Sequence, residues 1–192
     1  NTQRESFHIH ACCYDPYWNR IWLVTGDGAV YLDNTSIFWS DDMGATWKWK
    51  RCTCTDIANN SLQVVSIHPY PDYLLMTSDA DNVCLMRINR NSKTSFTQEF
   101  ASPLYGNHDL YAFGRNHVEV NGTSYFAYGK DSAAGHTYGS FLLATKNGFD
   151  CYQVYIDSTS GQTESDGEMR VVWDGSNIIV GLNNSGLTRI FK

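Results

Sequence analysis

Four hydrogen-bond acceptors recur along this 192-residue chain at one interval: Asp27, Asp79, Asp131 and Asn183 are each 52 positions apart. Each ends a short run in which an apolar, strand-like segment gives way to a turn: Thr25-Gly26-Asp27, Thr77-Ser78-Asp79, Gly129-Lys130-Asp131, Gly181-Leu182-Asn183. Carboxylates combined with Asn, His and Tyr suit the hydroxyl groups of sugars, and a set of carboxylates can hold a hard cation such as Ca²⁺. The competing role is local, because Asp and Asn at a turn accept bonds from their own backbone.

Other chemistry-bearing groups are less organised. His8 and His10 lie two apart, on one face of a strand, so a metal there needs a third ligand from elsewhere, and packing or hydrogen bonding is the expected role. Asp41 and Asp42 are adjacent, and Asp79, Asp81 and Asn82 resemble the start of a calcium loop. They lack the Gly and the distal Glu of an EF-hand. Asp27 with Asp79 or Asp109 is the carboxylate pairing a glycosidase would need, with the two carboxyls a set distance apart. Nucleophile elbows, phosphate loops and zinc spacings are missing from the sequence. No resident metal or other cofactor is expected apart from Ca²⁺ at the carboxylates.

Composition narrows the partners. The formal net charge is -6, from 14 Lys and Arg against 20 Asp and Glu. No basic stripe is present, which argues against a nucleic-acid partner. No apolar run approaches the roughly 20 residues of a spanning helix, so membrane insertion is not expected. The six cysteines have no zinc or CxxC spacing and read as reduced, buried, small hydrophobes, made in a reducing compartment and then displayed on a virion or secreted.

The elements that must position these groups are strands. Pro16, Pro69, Gly122 and Gly175 mark turns 53 apart, upstream of the four acceptors. Between the turns, His8–Tyr14, Arg20–Thr25, a strand within residues 30–39, and Thr46–Cys52 read as four strands. The pattern returns as Leu62–Ile67, Tyr73–Thr77, Val83–Ile88 and Phe96–Phe100. It returns again as Leu110–Phe113 or Val118–Val120, then Tyr125–Tyr128, Ser140–Thr145 and Cys151–Ile156. A last set comprises Met169–Trp173, Ile178–Val180 and Leu187–Phe191. No amphipathic helix is evident. Four antiparallel strands repeated about every 50 residues are the signature of β-propeller blades. The expected fold is therefore all-β, one domain over residues 1–192, with repeats at 7–57, 58–101, 102–160 and 161–192. The last repeat is incomplete, which reads as part of a larger propeller; the alternative is that residues 1–7 supply the missing outer strand.

Between the third and fourth strands of the first repeat stand Ser40, Asp42, Gly44, Thr46 and Trp47, matching the pattern S-x-D-x-G-x-T-W. Eroded copies follow at Asn89, Asn91, Lys93, Ser95 and Phe96, and at Thr145, Asn147, Gly148, Cys151 and Tyr152. With His8-Ile9-His10, Tyr14-Asp15-Pro16-Tyr17, Arg20-Ile21-Trp22 and Thr25-Gly26-Asp27-Gly28, the pattern resembles the Asp-box (BNR repeat) blades of bacterial and phage sialidase-like propellers. The resemblance implies that the box is a structural hairpin. Asp42 would bond its own turn, Gly44 would take a positive φ and Trp47 would fold back as an apolar plug.

The same resemblance implies a ligand face at the opposite end of the blades. His8, His10, Asp27, Asp79, His108, Asp131, Arg170 and Asn183 would line it, with Asn107 and Asp109 nearby and Tyr111 or Trp173 stacking on sugar. Sialidases grip a substrate carboxylate with three arginines; Arg20, Arg87 and Arg90 do not read as such a trio, and the family's Arg-Ile-Pro motif is missing. The expected function is a non-catalytic carbohydrate-recognition or structural module. The alternatives are a glycosidase, with Asp27, Asp79 and Asp109 as its weak candidates, and a phage tail or receptor-binding protein that docks other subunits.

Overall fold

A computed structural model describes residues 8–26, 36–51, 64–80, 84–91, 93, 97–103, 112–130, 141–148, 150–156, 169–182 and 188–191. Among them the regular structure is entirely β, without a helix. The first sheet is β1 (His8–Asp15), β2 (Arg20–Gly26), β3 (Ser36–Ser40) and β4 (Lys48–Arg51), antiparallel and in chain order. A second meander follows with β5 (Val64–Pro69), β6 (Tyr73–Ala80), β7 (Cys84–Asn89) and β8 (Thr97–Pro103). A third has β9 (Ala112–Val120), β10 (Thr123–Lys130), β11 (Phe141–Thr145) and β12 (Cys151–Ile156). The last sheet is β13 (Met169–Trp173), β14 (Ile178–Leu182) and β15 (Thr188–Phe191). The third repeat's two alternative first strands prove to be parts of one strand, β9.

Two-residue alternation sets the faces. Trp22, Val24 and Ile37 on one face of the first sheet are fully buried, while Leu23 and Phe38 on the other are only partly so. Asn121 (φ 51) and Gly122 (φ 72) close the β9–β10 hairpin in the left-handed region, as a two-residue turn matched to strand twist requires.

The chain forms two compact units: Asn1–Ser78 with Leu85–Ala101, and Asp79–Cys84 with Ser102–Lys192. In the first, β1 and β2 pack against β5, and Leu74, Leu75, Met76 and Ile88 are fully buried. In the second, β9 and β10 pack against β13. Its core joins Ala127 and Leu142 to Val171, Ile178 and Val180, with Val118, Tyr125 and Phe191 at its margin.

Cys12, Cys13 and Cys151 are free, but the expectation of burial fails for Cys12, which is exposed. Adjacent residues on a strand face opposite ways, so only one of Cys12 and Cys13 can point inward. Burial pushes the Cys13 thiol up to about 12 and the Cys151 thiol up to about 11, so both are protonated thiols at neutral pH. Cys52, Cys54 and the side chain of Cys84 lie outside the described residues.

His117 sits against Phe126, ring centroids 4.8 Å apart. Burial pushes its imidazole down from 6.5 to about 4, so the folded chain keeps it neutral where the unfolded chain binds a proton. Its stabilising share is complete above pH 6.5 and is lost as pH falls towards 4, an effect of about 3 kcal/mol. Urea unfolding at pH 7 and pH 4.5 should show this loss in the parent chain, and His117→Phe should remove that part of the pH dependence.

Candidate functional site

At one end of the first sheet, the β3–β4 turn is closed by its own side chains. Ser40 Oγ donates to Asp42 Oδ1 (2.7 Å) and accepts from Gly44 N (2.7 Å). Asp42 also accepts from Thr46 N at 2.8 Å and from Thr46 Oγ1 at 2.5 Å. Those two Thr46 bonds, then the one from Ser40, hold the Asp42 carboxyl down at about 2. Met43 (φ 58) and Gly44 (φ 95) are both left-handed. Trp47 folds back, its Nε1 donating to Gly44 O at 3.0 Å, yet 43% of it is exposed. It is a flap over the turn, where the sequence suggested a plug. The turn at Thr145–Tyr152 follows a related scheme. Gly148 N donates to Thr145 Oγ1 at 2.9 Å, Asp150 N donates to Asn147 Oδ1 at 2.9 Å, and Gly148 takes φ 77.

Asp41, next in sequence, points to other partners: Arg20 Nε at 2.7 Å and Lys48 Nζ at 3.2 Å. Partial burial raises its carboxyl, but the hydrogen bonds and charges of Arg20 and Lys48 outweigh that and leave it lowered. Asp41 and Asp42 are thus separately engaged and do not form a metal pair. Among the described residues no group of three His, Cys, Asp or Glu could hold a metal ion.

The same end carries a cluster that the sequence did not reveal. Asp15 has no solvent exposure and accepts from Tyr17 N (3.1 Å), Trp18 N (3.4 Å), Trp22 Nε1 (3.0 Å) and Arg90 Nη1 (2.5 Å). Arg90 also donates through Nε to Tyr70 O at 2.8 Å. Arg20, fully buried, donates through Nη2 to Lys93 O at 2.5 Å. Its guanidinium lies 4.6 Å from the Trp18 ring centroid and 5.0 Å from Trp22, and that of Arg90 lies 4.8 Å from Trp18. Arg20 and Arg90 do converge, therefore, but on a tryptophan and on carboxylates that bind them. The only early clue was Arg20 on a strand between two tryptophans. Chemically this end is a joint, with its acids and bases spent on each other.

The sequence-predicted ligand residues belong to the other end of the sheets. His8 pairs with Gly26, immediately before Asp27. Ala112, which follows the stretch holding Asn107, His108, Asp109 and Tyr111, pairs with Lys130, immediately before Asp131. Met169 pairs with Leu182, and Arg170 with Gly181, just before Asn183. In each of these sheets the first strand's start and the second strand's end share one edge of the fold. Asp27, His108, Asp109, Tyr111, Asp131 and Asn183 themselves, and the side chains of His8 and Asp79, lie outside the described residues.

Arg170 is exposed. His10 is half-buried at a β1 bulge, and its Nδ1–H donates to Val64 O at 2.9 Å, bracing β1 against β5. Trp173 is a correction: it flanks the Asp174 turn and pairs with Ile178, at the end of its sheet away from Arg170. No family model matches this chain, and no curated protein matches it.

Removing one partner of a buried pair strands the other. Asp15→Asn and Arg90→Met should each cost about 3–5 kcal/mol, more than Asp41→Asn, and the double variant should cost less than the two together; chemical denaturation of the four proteins measures this. An NMR titration should find Asp42 ionising near pH 2. Thr46→Val should move it up towards 3.8, so that the turn's acid-sensitive support, present above pH 3.8 and lost as pH falls through 2 in the parent, fails at higher pH.

Proposed function

We propose that this chain is an Asp-box β-propeller module of the sialidase-like kind that recognises carbohydrate without turning it over. The observation that carries the reading is the separation of the two sheet ends. One end is locked by the Ser40–Trp47 turn and the Asp15–Arg90 joint. The other gathers, at 52-residue intervals, acceptors that no described partner claims. The propeller reading is supported by consecutive antiparallel meanders and by the contacts of β1 with β5 and of β9 with β13. Adjacent first strands meet in this way when each is the innermost strand of its blade.

In this reading Asp27, Asp79, Asp131 and Asn183 accept hydrogen bonds from sugar hydroxyls. His8, His10, His108 and Arg170 stand beside them, with Arg170 as a donor, and Tyr111 offers a ring face for stacking. Neutral, hydroxyl-rich glycans fit this acceptor-rich set and the net charge of -6. A Ca²⁺ ion bridging two of the carboxylates would lend the site its geometry. The acids whose side chains are described are engaged at the locked end or on exposed turns, which supports binding over hydrolysis.

A glycan array probed with the chain and with Asp27→Ala/Asp79→Ala, with Ca²⁺ and with EDTA, tests this. Selective binding by the parent, lost in a still-folded double variant, is expected. A folded chain that binds no glycan would transfer the reading to a docking role in a larger assembly. Hydrolysis of the bound glycan, lost in the same variant, would make the module a glycosidase.

A further inference from the structure

The first and last sheets each leave one apolar face uncovered, and the two faces are of opposite kinds. On the first sheet the open row is Cys12, Leu23, Phe38 and Trp49, aligned across β1 to β4. Tyr14 and Ile21 stand beside it on the same face; Trp49 is 49% and Tyr14 51% exposed. On the last sheet it is Val172, Ile179 and Ile190, aligned across β13 to β15, with Val172 54% and Ile190 62% exposed. Apolar rows of this kind on a sheet are sites of sheet-on-sheet packing.

Turn chemistry puts the two sheets in register. Asp15 Oδ1 accepts from the backbone N–H groups two and three residues on, and Asp174 Oδ1 does the same from Ser176 and Asn177. Tyr14 pairs with Ile21 beside the first turn, and Trp173 with Ile178 beside the second. Superposed on these turns, Val172, Ile179 and Ile190 occupy the places of Cys13, Trp22 and Trp39. In the first sheet that face is the covered one, turned towards β5 and the Arg90 segment. Conversely, Cys12 and Leu23 occupy the places of Val171 and Val180, which in the last sheet are buried against Ala127 and Leu142 of the preceding sheet. The last sheet therefore exposes the face that packs on a following sheet, and the first exposes the face that packs on a preceding one.

We infer that these two faces bind each other between copies of this chain, head to tail, with the Val172–Ile179–Ile190 row of one copy seated on the Cys12–Leu23–Phe38–Trp49 row of the next. The occupant follows from the chain's own sheet-on-sheet packing, which already joins faces of these two kinds inside each unit. The contact is heterologous, so each copy offers one surface of each kind. It rests on sheet packing and stands whether or not the module binds sugar.

Sedimentation of the full 192-residue chain across a concentration series tests this. The parent should self-associate. Ile190→Lys and Trp49→Lys, both on exposed side chains that leave the core intact, should each raise the dissociation constant at least about tenfold. Val172→Thr and Trp49→Ser serve if either lysine variant loses its circular dichroism signature. Mixing the Ile190→Lys chain with the Trp49→Lys chain should restore one good contact, giving a mixed dimer that neither forms alone. A parent that stays monomeric at every concentration, association untouched by either variant, or no rescue on mixing would each overturn the inference.

Discussion

A carboxylate sealed from water sets the terms for the first unit. Asp15 is held by two backbone N–H groups of its own turn, by the Trp22 indole and by Arg90, which comes from 75 residues further along the chain. Burying one ion alone is prohibitive, so the β1–β2 turn and the end of β7 must arrive together. Trp18 then offers its ring to both Arg20 and Arg90, and Arg20 spends its remaining reach on Asp41 and on the Lys93 carbonyl. One cluster thus ties the first turn, the β3–β4 turn and two sequence-distant sheets into a single joint. Such an arrangement specifies geometry at least as much as it adds stability.

That concentration of charge at one end has a consequence for chemistry at the other. A group committed to four hydrogen bonds cannot also bind a sugar or move a proton. The joint and the Ser40–Trp47 turn hold the β1–β2 and β3–β4 connections firm, so the strands arrive at their far ends with a defined register. His8 beside Gly26 and Arg170 beside Gly181 show the same placement in two sheets that share little sequence. A binding face built on strand ends inherits its precision from such ladders rather than from the loops that follow them.

Within each unit, neighbouring sheets bury the rows that face each other, and the outer rows of the first and last sheets are left apolar. Repeat architectures carry this property generally, because each repeat is built to be covered on both sides. Here the uncovered rows differ in kind: aromatic and broad on the first sheet, β-branched and narrow on the last. A wide row against a narrow one is the complementarity the covered interfaces already use, as where small Ala127 meets Val171 and Ile178.

Much of this was legible in the chain itself. Turn residues at a fixed interval, two-residue alternation and the S-x-D-x-G-x-T-W pattern determine the strands, their order and the closure of the β3–β4 turn, because these depend on local sterics and on bonds within a few residues. Local information also placed Asp27, Asp131 and Asn183 directly after strand ends. It could not show that Arg20 and Arg90 meet on Trp18, that His10 reaches Val64, or that Trp173 belongs to the wrong end for a ligand. Nor could it say which of Cys12 and Cys13 would face inward. Those outcomes follow from which sheet face meets which neighbour, a matter of packing between residues distant in sequence, and only the tertiary structure decides it.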